Sequence, residues 1–259
     1  MKLSNYHTHT RYCDGKDSPE ELIQEAIRLG CPEIGFSGHA HVSFDDCCMS
    51  YEGTEAYIRE IRTLQQKYRD QIRVYLGVEQ DFYSDTPTDP YDYVIGAVHY
   101  LYKDGRFAFI DDCRETQMRS VQEFFHGDYY AFAEEYYATV AQLYEKTNCT
   151  VIAHFDLAMK YNEARDLFDP EHPRYRKAAL DALRQLMEKP VIFEINTGGI
   201  CRGYRSEAYP QRFLLETLEE AGAPTILASD CHDKKNLLFG FDQFQGRVKG
   251  LRERLFTGT

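Results

Sequence analysis

Short apolar runs alternate with amphipathic helical patterns along this chain. Seven runs are apolar almost throughout, as in strands that are buried on both faces of a parallel sheet. These runs cover residues 3–6, 33–38, 72–78, 93–98, 150–153, 191–195 and 225–229. Apolar positions at helical spacing lie between them and predict helices over residues 18–29, 52–68, 129–144, 174–188, 213–222 and 242–256. The segment 100–128 is expected to form mainly a loop.

The first predicted helix has a clear start signal. Ser18 can act as the N-cap, Pro19 suits the first helical position, and Glu21 completes a capping box. Gly30 is suited to end the same helix. The first 39 residues are therefore predicted to form a strand, a helix and a second strand.

The regular alternation of strands and helices predicts an α/β fold. Right-handed crossovers allow either an open doubly wound sheet or a closed (β/α) barrel. Polar residues follow all seven predicted strands, which favours a barrel whose site is built around one mouth. An open sheet would instead concentrate its site at a switch point in the strand order. We expect a single domain over residues 1–259, with no glycine-rich nucleotide-binding loop.

Charge and cysteine content exclude several classes of protein. The net charge of −12 argues against a sequence-independent nucleic-acid binder, which needs a basic surface. The sequence has no apolar run of 18 residues and no apolar signal segment, so we expect a cytoplasmic protein that is not membrane-bound. The eight scattered cysteines permit disulfides, but reduced thiols are the preferred interpretation. The oligomeric state is not predicted.

Histidines and carboxylates dominate the polar groups at the predicted strand ends. His7 and His9 are two residues apart, so an extended strand would direct both imidazoles to one face. Any one of these groups could simply be a hydrogen-bonded polar residue, but together they include six of the nine histidines. Imidazole and carboxylate ligands without thiolates suit zinc, manganese or iron, and eight ligands imply two or three ions. The candidates are His7, His9, His39, Glu79, His99, His154, Asp230 and His232.

The order of these motifs resembles that of the polymerase-and-histidinol-phosphatase (PHP) superfamily, over nearly the whole chain. The segments 77–79, 93–100 and 196–199 most resemble the monofunctional histidinol-phosphate phosphatases of that superfamily. The resemblance rests on His7-Thr8-His9, Cys13-Asp14-Gly15, Ser37-Gly38-His39, Gly77-Val78-Glu79, Ile95-Gly96-Ala97-Val98-His99, Ala153-His154 and Ser229-Asp230-Cys231-His232. It implies a distorted seven-stranded (β/α)7 TIM-like barrel with three divalent or transition-metal ions (Zn, Mn or Fe).

The resemblance also implies how the ligands divide among three ions. The first ion takes His7, His9, Glu79 and Asp230, and Glu79 bridges to a second ion held by His99 and His154. The third takes His39, His232 and a residue of the loop after the first strand. That residue is expected to be Asp14, with Asp17 as the alternative, whereas other members have histidine in this loop. Gly38 stands where many members have aspartate.

The reaction implied is the hydrolysis of a small phosphate monoester, L-histidinol phosphate, to L-histidinol and phosphate. Glu79, Asp230 and His232 are the expected catalytic residues, with the Asp230–His232 end or the third ion as the source of the leaving group's proton. Arginine and lysine bind phosphate well, and three basic residues follow predicted strands; the alternative is that they are surface charges. These candidates for substrate binding are Arg202, Lys160 and Arg205.

Two other functions fit the same residues. Another phosphatase of the superfamily could act on nucleotides or on phosphotyrosine protein. A metal-storing or metal-sensing module without catalysis is the non-enzymatic alternative, although structural metal sites are usually closed and hydrolytic sites keep an open position. The surplus of candidate ligands favours the hydrolytic kind.

Overall fold

The computed structural model describes residues 3–249, in which six parallel strands form a curled sheet. The strand order is β1-β2-β3-β6-β7-β8, and each neighbouring pair is parallel. The predicted α/β class is therefore confirmed, and the carboxyl ends of the strands meet at one rim. The strands are β1 (Glu33–Phe36), β2 (Arg73–Asp81), β3 (Tyr93–Ala97), β4 (Tyr100–Lys103), β5 (Arg106–Phe109), β6 (Val151–Ile152), β7 (Ile192–Asn196) and β8 (Thr225–Ala228).

Helices connect the strands and cover the outer face of the sheet. Within the described part of the chain they are α1 (Pro19–Arg28), α2 (Tyr51–Tyr68), α3 (Arg114–Phe125), α4 (Tyr129–Val140), α5 (Leu143–Thr147), α6 (Pro173–Met187), α7 (Gly198–Cys201), α8 (Arg212–Glu220) and α9 (Phe241–Phe244). No helix among residues 3–249 combines the length and the apolar character needed to cross a membrane. All eight cysteines are free thiols.

The start of α1 follows its predicted capping box. The Ser18 side chain accepts a hydrogen bond from the Glu21 backbone N–H, and the Glu21 carboxylate accepts one from the Ser18 N–H. Leu22, Ile23 and Ala26 are buried on the face that packs inward. The cap and the apolar stripe therefore act together to fix where this helix begins and which face it buries.

The expected seventh strand at residues 3–6 is not confirmed as a regular strand. The segment forms only isolated parallel bridges, from Asn5 to Ile34 and from Thr8 to Cys231. The Asn5 carbonyl accepts from the Gly35 N–H, whereas the next bond on that side joins Thr8 to Ser37. Between these two bonds the N-terminal segment advances by three residues, while the chain at β1 advances by two. Such a bulge interrupts the hydrogen-bond ladder of a regular strand. The segment nevertheless bonds both edges of the six-stranded sheet.

The segment 100–128 was expected to be mainly a loop, and this was wrong. It contains an antiparallel hairpin of β4 and β5, followed by α3. Asp104 and Gly105 turn the hairpin with positive φ values of 51° and 78°, the conformation that an Asp-Gly pair favours between two strands. The predicted helix 129–144 is divided into α4 and α5. Of the helix predicted over 242–256, only α9 and a short 3-10 turn lie in the described residues.

Two glycines allow the Tyr93 ring to cross the interior of the sheet. A Cβ at Gly77 would lie 2.3 Å from the Tyr93 Cζ, and one at Gly35 would lie 2.4 Å from the Tyr93 hydroxyl. The hydroxyl donates a hydrogen bond to the Tyr6 carbonyl oxygen (2.5 Å) and lies 3.0 Å from that of Phe36. Tyr93 therefore ties the N-terminal segment to the rest of the sheet.

Gly77→Ala is expected to destabilise the fold by about 1–3 kcal/mol, because the added methyl group would press against the buried Tyr93 ring. The measurement is the urea midpoint and slope of the variant and the parent protein. Gly246→Ala is the control, since a Cβ there meets no atom within 4 Å. Equal midpoints for Gly77→Ala and the parent would contradict this account of the packing.

Candidate active site

The rim of the sheet brings the predicted polar residues together. Glu79 lies within β2 near its end, and five further residues lie two to four positions after a strand: His39, His99, His154, Asp230 and His232. They meet because the carboxyl ends of parallel strands share one edge. Asp230 has a left-handed backbone with φ of 50° just after β8. Aspartate tolerates this conformation better than most residues, and the turn places Asp230 and His232 on the same side.

The Glu79 carboxylate is the centre of the cluster and is almost fully buried. Five imidazole nitrogens lie within 3.4 Å of it: His39 Nδ1 (3.0 Å), His7 Nε2 (3.2 Å) and His9 Nε2 (3.4 Å) near Oε2, and His154 Nε2 (3.1 Å) and His99 Nε2 (3.4 Å) near Oε1. Even so, Glu79 Oε2 accepts no hydrogen bond of regular geometry from the described residues. Nitrogens that approach one oxygen without hydrogen-bond geometry are typical of ligands around cations.

Asp230 adds a second carboxylate to the histidine pair. Its Oδ1 lies 3.2 Å from His9 Nε2 and 3.6 Å from His7 Nε2. Its Oδ2 accepts a hydrogen bond from Arg202 Nη2 at 2.7 Å. The two histidines therefore face carboxylates from opposite parts of the chain.

The structure brings Asp14, and not Asp17, to the third group of ligands. Asp14 Oδ2 lies 3.0 Å from His232 Nε2, and its Oδ1 lies 3.7 Å from His39 Nε2. Asp17 instead accepts a hydrogen bond from the Lys234 backbone N–H at 2.7 Å. The geometry favours Asp14 of the two alternatives.

Opposite charges stabilise each other in this buried cluster. Burial disfavours a charged His7, but the carboxylates of Glu194, Glu79 and Asp230 outweigh it and raise its pKa to about 10. Burial likewise opposes ionisation of Glu79, yet the neighbouring imidazoles hold its pKa well below the usual range. Burial lowers the pKa of His232. Protons on imidazoles thus balance the carboxylates in the metal-free chain, and cations would supply the same positive charge.

The donor atoms fit divalent cations. Imidazole and carboxylate ligands are those of zinc, manganese and iron sites. In each of three overlapping groups among the described residues, all ligand atoms lie within 4.8 Å of one another. These groups are His7, His9 and Asp230; His39, Glu79 and His99; and His9, Asp14, His39 and His232. All three differ from the sets implied by the resemblance: the first lacks Glu79, the second has His39 in place of His154, and the third adds His9.

A cavity of about 820 Å³ opens onto this cluster. Two of the three basic residues proposed for substrate binding, Arg202 and Lys160, line its wall. Arg205 is not among the lining residues; its buried guanidinium lies 3.1 Å from the Glu163 carboxylate. Its assignment to the substrate stays a prediction.

Another part of the cavity wall is acidic and aromatic. Phe44 and Asp45 precede α2, and Tyr100 and Phe109 come from the β4–β5 hairpin. The Tyr100 hydroxyl donates a hydrogen bond to the Asp45 carboxylate, which joins the two segments. Asp46, Asp111 and Asp112 also line the cavity. This wall suits a ligand that carries a ring and a positive charge.

Two buried carboxylates of the site were missed in the sequence. Glu194 Oε1 lies 2.7 Å from His7 Nδ1, and Asp81 Oδ2 lies 3.2 Å from His99 Nδ1. Glu194 precedes Asn196 by two residues on β7, and Asp81 follows Glu79 by two on β2. Since alternate residues of a strand share a face, this spacing was a usable signal.

Comparisons with known proteins show the family to which this chain belongs. The family model described as "PHP domain" matches residues 5–198. A probable histidinol-phosphatase of Deinococcus radiodurans is 30% identical over 97% of this chain and 93% of its own. The histidinol-phosphatase of Bacillus subtilis is 24% identical over 95% of this chain and 100% of its own.

Solved structures show the same fold at low sequence identity. A Listeria monocytogenes protein has a TM-score of 0.83 at 21% identity, covering 93% of this chain and 99% of its own. The histidinol phosphate phosphatase of Lactococcus lactis has a TM-score of 0.72 at 22% identity, covering 95% and 92%. The latter was crystallised with Zn, L-histidinol and phosphate.

Proposed function

Because this chain belongs to the PHP domain family, we propose that it is a metal-dependent phosphomonoesterase that hydrolyses L-histidinol phosphate to L-histidinol and phosphate. The observation that carries the proposal is the convergence of five imidazoles on one buried carboxylate, at the floor of a cavity with basic and acidic walls. The curated relatives that match nearly the whole chain are histidinol-phosphatases by name.

Three divalent cations are proposed for the cluster. His7, His9, Glu79 and Asp230 would hold the first, Glu79, His99 and His154 the second, and Asp14, His39 and His232 the third. Cations bound there would withdraw charge from the phosphoryl oxygens and lower the pKa of water. The chain's own contribution is to hold imidazoles and carboxylates at fixed positions in a buried site.

Arg202 and Lys160 are proposed to bind the phosphate. Arg202 donates to the Asp230 carbonyl oxygen at 2.9 Å as well as to its carboxylate, so that its guanidinium is fixed at the edge of the cluster. The Lys160 ammonium donates to the Asp111 carbonyl oxygen at 2.7 Å. Charged hydrogen bonds from both would orient the phosphoryl group for attack.

The departing alkoxide of L-histidinol needs a proton. We propose that the proton lost by the attacking water reaches it at the Asp230–His232 end of the site. His232 Nδ1 lies 3.5 Å from Asp230 Oδ1, and both residues line the cavity. Glu79, Asp230 and His232 therefore remain the proposed catalytic residues.

The acidic and aromatic wall is proposed to accept the amine and imidazole of the substrate. L-Histidinol phosphate carries a cationic amine and a ring besides its phosphate, and Asp45, Phe44 and Phe109 offer the complementary groups. A nucleotide carries a ring without this amine. The wall thus favours the amino alcohol over the alternative substrates.

Steady-state hydrolysis of a substrate panel tests this proposal. The panel contains histidinol phosphate, AMP, a nucleoside bisphosphate, a phosphotyrosine peptide and an aryl phosphate, each with added manganese or zinc. Histidinol phosphate is expected to have the highest kcat/KM by orders of magnitude. Equal or better turnover of another ester would overturn the substrate assignment, and bound metal without any turnover would indicate a binding module.

Arg202→Lys is expected to lower kcat/KM for histidinol phosphate by about 10- to 100-fold, mainly through KM. Lysine keeps the charge but cannot reproduce a planar pair of donors, and a lost hydrogen bond to a charged group has an effect of this size. Arg212→Lys is the matched control, because Arg212 pairs with Glu207 at an exposed position. An unchanged KM in the Arg202 variant would exclude Arg202 from phosphate binding.

A further inference from the structure

Glu194 contacts two candidate ligands at once. It is almost fully buried in the middle of β7. Its Oε1 lies 2.7 Å from His7 Nδ1, while its Oε2 accepts from the His154 backbone N–H at 3.1 Å and from Asn196 Nδ2 at 2.8 Å. His7 and His154 belong to different proposed cation groups. The Glu194 carboxylate therefore contacts one candidate ligand from each of these two groups.

The orientation of the His7 ring shows which of its two nitrogens Glu194 contacts. His7 Nε2 faces Glu79 Oε2 at 3.2 Å and Asp230 Oδ1 at 3.6 Å, so this is the nitrogen directed into the cluster. Imidazole binds a cation through an unprotonated nitrogen, and a hydrogen bond at the other nitrogen determines which one is free. An ionised carboxylate at Nδ1 can only accept, and so places the proton there.

We propose that Glu194 is a positioning residue that keeps the His7 proton on Nδ1, leaves Nε2 free for a cation, and aligns His154 through its backbone N–H. This inference rests on the proposed metal-dependent function. It gives Glu194 no contact with the substrate.

The substitution Glu194→Gln would reverse this arrangement. Two donors, the His154 N–H and Asn196 Nδ2, face Oε2, so the amide oxygen must take that position. The amide NH2 would then face His7 Nδ1 and favour a lone pair there, which moves the His7 proton to Nε2. Glu194→Gln thus preserves shape while it disfavours the ligand form of His7.

The test is a zinc titration of the apoprotein against a competing chromophoric chelator, which measures affinity and stoichiometry without turnover. Glu194→Gln is expected to weaken at least one zinc site by about 10- to 100-fold, as found when a partner of a ligating histidine is lost. Glu194→Asp keeps the carboxylate and should retain more affinity than the glutamine variant. Glu33→Gln is the control, because Glu33 is also buried but lies at the start of β1, away from the rim.

The outcomes separate this inference from the proposed function. Zinc binding that is equal in Glu194→Gln and the parent, with normal parental turnover, would overturn only the role of Glu194. A parent protein that binds no metal would overturn the proposed function itself. A purely structural role would lower the melting temperature and leave zinc affinity unchanged.

A second measurement observes the His7 ring directly in the parent protein. In ¹⁵N-histidine-labelled parent protein with zinc, the His7 signals should show a protonated Nδ1 and a metal-bound Nε2. The spectrum of His7→Gln identifies these signals by their loss. Metal bound at His7 Nδ1 would contradict the proposal.

Discussion

Glu79→Gln is expected to lower kcat for histidinol phosphate by well over about 100-fold. The loss of a residue that only hydrogen-bonds to a metal ligand has a smaller effect, about 10- to 100-fold. One of its oxygens would become an NH2 group, which is a donor and not a ligand. Glu79 Oε1 faces His154 and His99, and Oε2 faces His7, His9 and His39, so either orientation of the amide removes a ligand atom from one group. The measurement combines kcat with metal content by mass spectrometry.

Gln80→Glu is a suitable comparison for this variant. Gln80 is the next residue of β2, is also buried, and donates hydrogen bonds to the Ser84 and Thr86 carbonyl oxygens on the other face of the strand. A carboxylate there should reduce stability and leave the metal content unchanged. Glu79→Gln with parental metal content and parental kcat would refute the proposed site.

Removal of metal by a chelator is expected to abolish turnover and to lower the melting temperature. At a free metal concentration of 1,000 times Kd, a bound ion stabilises the native state by about 4 kcal/mol. After gel filtration into metal-free buffer, an activity assay measures turnover and a thermal unfolding experiment measures the melting temperature. Addition of zinc or manganese should restore them, and turnover that survives complete metal removal would contradict a metal-dependent mechanism.

The pH dependence of metal rebinding follows from the charge of the free site. The pKa of His7 is raised to about 10 in the metal-free chain, because its carboxylate neighbours outweigh the opposing effect of burial. At neutral pH, His7 therefore carries a proton that a cation must displace. Metal affinity should rise between pH 6 and pH 8, and calorimetry in two buffers of different ionisation enthalpy should detect the released protons.

The strand-end residues of the site could be predicted because their signals are local. Each follows a short apolar run, and the topology of a parallel sheet then brings the ends together. Asp81 and Glu194 had a comparable local signal, because each lies two residues from another polar residue of the same strand. The Asp104-Gly105 turn was also readable as a hairpin signal, although the residues around it alternate weakly.

Other features depend on tertiary contacts. The irregular N-terminal segment follows from the Asn5 side chain, which accepts from the His7 N–H and donates to the Ser229 hydroxyl. No local pattern shows that partner. Likewise, Arg202 and Arg205 have similar surroundings in the sequence. Arg202 lines the cavity, whereas Arg205 packs against Glu163 and the Met159 carbonyl oxygen and is not among the lining residues.

The N-terminal segment makes the site depend on residues that are far apart in the sequence. Asn5 and Ser229, which hydrogen-bond to each other, are 224 residues apart. At about 5–20 residues per second, a ribosome needs on the order of 10–45 seconds to make that stretch. During this time His7 and His9 have been synthesised but Asp230 has not. A nascent chain that ends before Asp230 therefore lacks one member of the first proposed ligand group.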